Sequence, residues 1–315
     1  MRVLITGGAG FIGANLAKGL AGHGHEVVVL DDLSTGSRDN LAGVDVRLIE
    51  GTILSASDLD GAVDGVDSVV HLAARPSVPR SIQDPMASHL ANATGTAEML
   101  EAVRRAGAGR ERPAQVIVAS SSSVYGANPT LPKREDLAPR PVSPYAASKL
   151  ATESYALAWA ASFGLDVLAV RFVNVYGPLQ AAGHAYAAVV PAFVDAALAG
   201  RPLPVHGDGT QSRDFTYVGS VCAVLGDAIA RRVSDPEPMN LAFGSRVTLL
   251  EVIAELETIV GTDLEVEHQP TRAGDVPHSQ ADTTRLRSLF PDVQPVPLIE
   301  GLQATVDWFR SDAAA

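Results

Sequence analysis

The chain has 315 residues, 46% of them hydrophobic, and a net charge of -12 from 24 Lys and Arg against 36 Asp and Glu. That length and apolar content supply a substantial core and exclude a disordered chain, while the negative charge disfavours nucleic acid and anionic membranes as partners. Cys222 is the single cysteine, which excludes an internal disulfide and suits a reducing cytoplasm, and no apolar run is long enough to cross a bilayer.

Residues 2–6 form a short apolar β run that leads straight into glycines, with no long apolar stretch or cleavage site, so the start reads as a strand and not as a signal peptide. Gly7, Gly10 and Gly13 then follow as G-x-x-G-x-x-G with Phe11 and Ile12 between, ahead of a helical pattern through Leu16 and Leu20. Strand, glycine turn and helix in this order let a backbone approach a pyrophosphate closely. The next strand, 26–30, ends in Asp31-Asp32 and runs on through Ser34, Thr35 and Gly36. An acidic residue some twenty positions after the glycines accepts from a ribose 2'-hydroxyl and repels a 2'-phosphate, so Asp31 favours NAD over NADP.

Strands at 44–50, 68–72 and 115–119 alternate with helical stretches after Ser55 and over 84–106. This alternation predicts an α/β fold with a doubly wound parallel sheet of Rossmann type. Ligands sit beyond the carboxyl ends of such strands, which singles out Thr52 and Ile53, Ala73 to Arg75, and Ser120 to Tyr125.

Ser143 before Pro144 reads as an N-cap followed by the first helical residue, which puts Tyr145 in the opening turn and Lys149 one turn later on the same face. A neighbouring ammonium and the positive end of the helix both favour phenolate and bring a tyrosine toward use as a general base.

Gly7 to Gly13, the His71-Leu72-Ala73-Ala74 turn, Ser120 to Gly126 and Tyr145-x-x-x-Lys149 together resemble the extended short-chain dehydrogenase/reductase family of nucleotide-sugar enzymes. The resemblance implies Ser121, Tyr145 and Lys149 as catalytic residues. It implies NAD contacts at Gly7 to Gly13, at Asp31, Asp32 and Ser34 to Gly36, at Thr52 and Ile53, at Leu72 to Ala74, and at Ala119, Tyr145, Lys149 and Phe172. Asn92 matches the family's helix asparagine near the cofactor. Many relatives carry an acidic residue where this chain has Thr52.

Residues 166–173 read as a further strand, after which the alternation becomes irregular, with a helix over 189–199 and a short strand near 203–205. The expected division is a NAD-binding domain over 1–175, to which segments near 215–245 return, and a smaller mixed α/β substrate lobe mainly over 176–315. Arg213 and Arg272 suit a diphosphate clamp, because guanidinium forks match phosphate oxygens, and Asp275 would accept from a ribose hydroxyl. Surface pairing of Arg213 with Asp214 and of Arg272 with Asp275 is the plain alternative. By resemblance, sugar-nucleotide contacts also fall on Ser77, Val78, Ser121, Ser122, Ser123, Tyr145, Asn174, Ala188, Val189, Val190, Pro204 and His206. No residues have zinc spacing, and His184 and His206 read as polar neighbours of a pocket.

The family's 4,6-dehydratases use an Asp-Glu pair after the catalytic residue, and its decarboxylases a glutamate, where this chain has Ser122 and Ser123. Without that acid the 4-keto sugar has no evident next step except hydride return, so the resemblance implies an NAD-dependent UDP-sugar 4-epimerase for UDP-glucose/UDP-galactose, UDP-GlcNAc/UDP-GalNAc or both. Ser279, where glucose-restricted relatives place tyrosine, leaves room for a 2-acetamido group. A UDP-glucuronate 4-epimerase ranks lower because residues 180–184 contain no arginine, and a nucleotide-sugar dehydratase and a redox-sensing NAD-binding regulator complete the alternatives. A homodimer through helices near 84–106 and 143–163 is implied by resemblance.

Overall fold

A computed structural model describes residues 1–182, 188–271 and 277–312 of the chain. Seven strands, β1 (Arg2–Thr6), β2 (Glu26–Asp31), β3 (Arg47–Glu50), β4 (Ser68–His71), β5 (Gln115–Ser121), β6 (Val167–Phe172) and β7 (Met239–Leu241), form one sheet in the order β3-β2-β1-β4-β5-β6-β7. Every pairing in it is parallel. Parallel strands are covered on both faces and need unbroken apolar runs, which Val27 to Leu30, Val69-Val70 and Val116 to Val118 supply.

The helices Phe11–Gly22 and Val218–Arg231 cover one face, where Leu16, Leu20, Val221, Val224 and Leu225 meet Val3, Ile5 and Val29. The helices Ala56–Val63, Gly95–Ala106 and Pro144–Phe163 cover the other, around Leu59, Met99, Leu100, Val103 and Ala156. This is the doubly wound Rossmann-type α/β fold. The chain runs outward to β2 and β3 on one side of β1, then crosses to β4 on the other. The crevice at that reversal lies beyond the carboxyl ends of β1 and β4, where such sheets bind ligands.

β7 is too short for its periodicity to be legible, and it joins the sheet through Met239 to Leu241 against Val170 to Phe172. A separate apolar cluster is built by the helices Val189–Leu198, Leu249–Val260 and Leu298–Asp312 with the strand Leu203–His206, around Phe193, Val205, Val252, Leu256, Leu302 and Val306.

One expected helix is not continuous. The stretch 84–106 breaks into Pro85–His89, a π-helical turn Leu90–Thr94 and Gly95–Ala106. The wider turn frees the Asn92 carbonyl to accept from Thr96 Oγ1 at 2.5 Å and from Thr152 Oγ1 at 2.8 Å, so side chains replace the missing backbone bonds.

Candidate active site

The helix Pro144–Phe163 starts as its sequence requires. Ser143 accepts the Ala146 amide at 3.1 Å, Pro144 occupies the first turn, and Gly164 ends the helix in the left-handed conformation at φ +70°. Tyr145 and Lys149 therefore stand one turn apart, with the helix packed on β5. Lys149 is 5% exposed and donates Nζ to the Ala119 carbonyl at 2.8 Å. Burial lowers its pKa to about 8. Burial also raises the Tyr145 phenol, and a hydrogen bond with Ser121 pulls it back. This corrects the expectation that Lys149 lowers the phenol: in the chain alone the ammonium is turned to a carbonyl, and desolvation dominates.

Ser121 ends β5 and caps the short turn Ser122–Tyr125, accepting the Ser123 amide at 3.2 Å and Ser123 Oγ at 3.0 Å. Ser123 thus supports Ser121. Beneath them His71 is held between Thr6 Oγ1 at 2.7 Å and Thr96 Oγ1 at 3.0 Å, and burial with the charge of Lys149 lowers its pKa to about 3. It is a neutral structural imidazole at the floor of the site.

A cavity of about 1000 Å³ opens along the sheet's carboxyl edge. Its wall takes in Gly7, Gly10 to Gly13, Asp31, Asp32, Ser34, Thr35, Thr52, Ile53, Leu72 to Ala74, Ser77, Ala119, Ser121, Tyr145, Lys149, Phe172, Asn174 and Ala188. Residues scattered over most of the chain thus meet at one surface. Three of its wall residues, Ser77 (φ +95°), Asn174 (φ +38°) and Leu179 (φ +69°), have backbones that side chains rarely tolerate, and such strain concentrates where structure serves a site.

The cavity fits NAD on the chain's own features. Gly7 adopts φ +71°, and a Cβ there would lie 2.6 Å from the Ala73 nitrogen, while one on Gly13 would overlap the Gly7 carbonyl. Only glycines let this turn close. No side chain caps the Phe11–Gly22 helix, so its first amides face the cavity with capacity for a pyrophosphate. At the far end, Asp31 accepts the Ala9 amide and the Leu33 amide, each at 2.9 Å, and keeps lone pairs for a ribose diol. Asp32 is tied to Ser34 through its amide and hydroxyl. Gly36 stands behind the wall, where a Cβ would lie 2.7 Å from the Ala9 carbonyl carbon.

Other expected residues serve the wall from behind. Asn92 is buried outside the cavity, accepting the Arg75 amide at 2.7 Å and donating to Ser148 Oγ at 2.9 Å, so it braces the loop after β4 against the helix Pro144–Phe163. Thr52 reaches the wall, and its amide donates at 3.0 Å to the carboxylate of Asp58, in the first turn of the helix Ala56–Val63. Val78, Ser122, Val189, Val190, Pro204, His206 and Arg213 do not line this cavity among the described residues. Val190 belongs to the core of the smaller cluster, and His206 faces the Pro270 carbonyl at 3.1 Å. Arg213 donates to the Ser212 carbonyl at 2.9 Å, while buried Asp214 accepts from the amides of Ser245 and Ala281. Arg272, Asp275 and His184 lie outside the described residues.

Arg75, singled out by its place after β4, also lines the wall, whereas the sequence did not point to Asn40, Leu179 or Trp308, the last from a helix whose spacing signals only packing.

The parallel sheet, the glycine turn at its reversal and the Ser121, Tyr145 and Lys149 group define an extended short-chain dehydrogenase/reductase. Residues 3–242 match the profile of the NAD dependent epimerase/dehydratase family, and the chain belongs to that family of NAD-dependent enzymes. It is 37% identical over 320 residues to a UDP-glucose 4-epimerase of Mycolicibacterium smegmatis, covering 99% of both chains. A solved UDP-N-acetylglucosamine 4-epimerase from Methanobrevibacter ruminantium, in complex with UDP-N-acetylmuramic acid, superposes with a TM-score of 0.92 at 34% identity, over 99% of this chain and 98% of that one. The UDP-glucose 4-epimerase of Thermotoga maritima, solved with UDP-glucose, gives 0.91 at 33% identity over 99% of this chain and all of that one.

Proposed function

We propose that the chain is a UDP-hexose 4-epimerase acting on UDP-glucose/UDP-galactose, UDP-GlcNAc/UDP-GalNAc or both, through a 4-keto sugar. The observation that carries this reading is the distribution of acids. Among the described wall residues the carboxylates are Asp31, Asp32 and Asp39, all in the segment from the end of β2 onward, while the end holding Tyr145 presents Ser121, backed by Ser123. Elimination or decarboxylation chemistry needs an acid beside the sugar, and this site offers hydroxyls.

Tyr145 exchanges the proton of the sugar's O4', with Ser121 hydrogen-bonded to the same oxygen and to the phenol. Lys149 supplies positive charge at the ribose nearest the reacting carbon. Gly7 to Gly13 hold the pyrophosphate of NAD, and Asp31 its adenosine ribose. Bound NAD would supply reversible hydride storage. Asn174, beside the substrate lobe, donates Nδ2 to the Asp214 carbonyl at 3.2 Å, which links the sugar site to the segment carrying Arg213. Arg213, Arg272 and Asp275 would hold the nucleoside diphosphate. Ser279, whose amide donates to the Ser212 carbonyl at 3.0 Å beside Arg213, is small enough to admit an acetamido group.

The enzyme is also proposed to be a cytoplasmic homodimer. No helix among the described residues is long and apolar enough to cross a membrane. The outward face of the Pro144–Phe163 helix, at Ala147, Ser154, Ala158 and Ala161, is exposed and carries no charge, and Met86 and Leu90 on neighbouring helices are 61% and 44% exposed.

Incubation with UDP-glucose, UDP-N-acetylglucosamine and UDP-glucuronate, followed by chromatographic separation of C4 epimers, tests the assignment. The expected product has the substrate's mass. A product lighter by one water overturns the reading in favour of a dehydratase, and turnover of UDP-glucuronate alone moves it to uronic acids.

A further inference from the structure

Lys149 and Glu153 lie one turn apart on the same helix, both almost fully buried and opposite in charge, yet they do not pair. Residues four apart meet on a helix face, and attraction between charges grows several-fold as solvent is excluded. The carboxylate is held elsewhere. Arg171 of β6 takes both its oxygens, Nε to Oε2 at 2.9 Å and Nη2 to Oε1 at 2.6 Å. Ser120, beside the catalytic serine, donates Oγ to Oε2 at 2.9 Å. The guanidinium is fixed in turn, 4.8 Å from the Tyr125 ring centroid and donating to the Glu135 carbonyl at 3.3 Å. A planar fork of this kind matches a carboxylate in a way that a lysine cannot.

We propose that Arg171 and Ser120 are positioning residues that sequester Glu153, so that the Lys149 ammonium remains an uncompensated cation at the cavity wall. A lysine joined to a buried carboxylate is a neutral couple and lends no positive field to a ligand at the cavity wall. In the intact network its field still reaches His71. Among the described residues the other ionisable groups packed around this region are Tyr145 on the same helix, Tyr125 of the turn after β5 and Glu135, whose carboxylate accepts the Asn240 amide at 2.9 Å. On the opposite flank Arg80, His89, Glu98, Glu101, Arg104 and Arg105 lie at the surface. Among the described residues Glu153, one turn away on the same helix, is therefore the buried carboxylate placed to meet Lys149. The inference rests on Lys149 being the cation of the proposed site.

Lysine occurs at Lys18, Lys133 and Lys149 alone, so isotope-labelled lysine ε-carbons give three signals, and Lys149→Met assigns the one of interest. A pH titration of the full chain by NMR then reads Lys149 directly. Arg171→Met releases Glu153, and the Lys149 midpoint rises by about one pH unit or more, a tenfold change in proton affinity. In Arg171→Met/Glu153→Gln it returns to the wild-type value. Turnover at neutral pH follows, with about a tenfold loss in the single variant and recovery in the double. A pair that only stabilises the fold gives both variants the same loss and leaves the midpoint in place. If Arg171→Met does not fold, Ser120→Ala keeps the ion pair, loosens Oε2 and moves the midpoint in the same direction by less. An unchanged titration in the folded variant, or a double variant that stays shifted, overturns the proposal. The titration needs no substrate, so its outcome is independent of whether UDP-sugars turn over.

Discussion

Lys149 keeps its charge against its surroundings. Its pKa of about 8 in the fold, below the ordinary lysine value of 10.5, means that the folded chain binds this proton less tightly than the unfolded one. The penalty is fully present below about pH 8 and is relieved as pH rises toward 10.5. Lys149→Met should therefore abolish turnover while raising stability at neutral pH by roughly 1–3 kcal/mol, after allowing for the donor lost to Ala119. Calorimetry at pH 7 checks it, and a lower melting temperature would contradict it. His71 works in the same direction at lower pH. Its pKa falls from 6.5 to about 3 on folding, so its contribution is complete above 6.5 and is lost as pH falls toward 3. On the order of 4–5 kcal/mol depends on that one ring. His71→Gln should flatten the fall in stability across that window, measured by denaturant titration at several pH values.

At the scale of single elements, the helix Pro144–Phe163 is set by its first residues. Ser143 and Pro144 decide where the first turn begins, and that register aims Tyr145 at the cavity and sends Lys149 to Ala119. Ser143→Ala should cost about 1 kcal/mol of stability. Because the frayed turn carries Tyr145, kcat should fall more than KM rises, and a raised KM with unchanged kcat would place the effect in binding. The Leu90–Thr94 turn shows the opposite case. Its residues carry an ordinary helical pattern, and the π-helical geometry follows from Thr96 and Thr152, which compete for the Asn92 carbonyl. Thr152 comes from a separate helix, so inspection of 84–106 alone does not reveal the break.

Across the whole molecule, the sheet and the smaller apolar cluster are joined by polar links at the cavity's edge. Asp214 illustrates them: its carboxylate accepts from Ser245 and Ala281, its carbonyl takes the Asn174 side chain, and burial pushes its pKa up to about 6. At the outer surface, the uncharged face of the helix Pro144–Phe163 is the proposed contact between two copies. Ala158→Arg puts a charge at its centre and should yield a folded monomer by analytical ultracentrifugation. A dimer that survives this change would move the interface elsewhere.

Much of this molecule was legible in its residues because the signals are local. Glycines at fixed offsets, a Ser-Pro helix start and apolar strand runs are consequences of backbone geometry within a few residues, and they gave the sheet, the glycine turn and the Tyr145 to Lys149 spacing. The rest depends on contacts between distant segments. Seating Asn92 behind the wall, bringing Trp308 to it, turning Lys149 to a carbonyl and placing Arg171 on Glu153 each require strands and helices far apart in the chain to be packed together. Burial then decides which charges pair and which stay free, and burial is a property that only the tertiary structure confers.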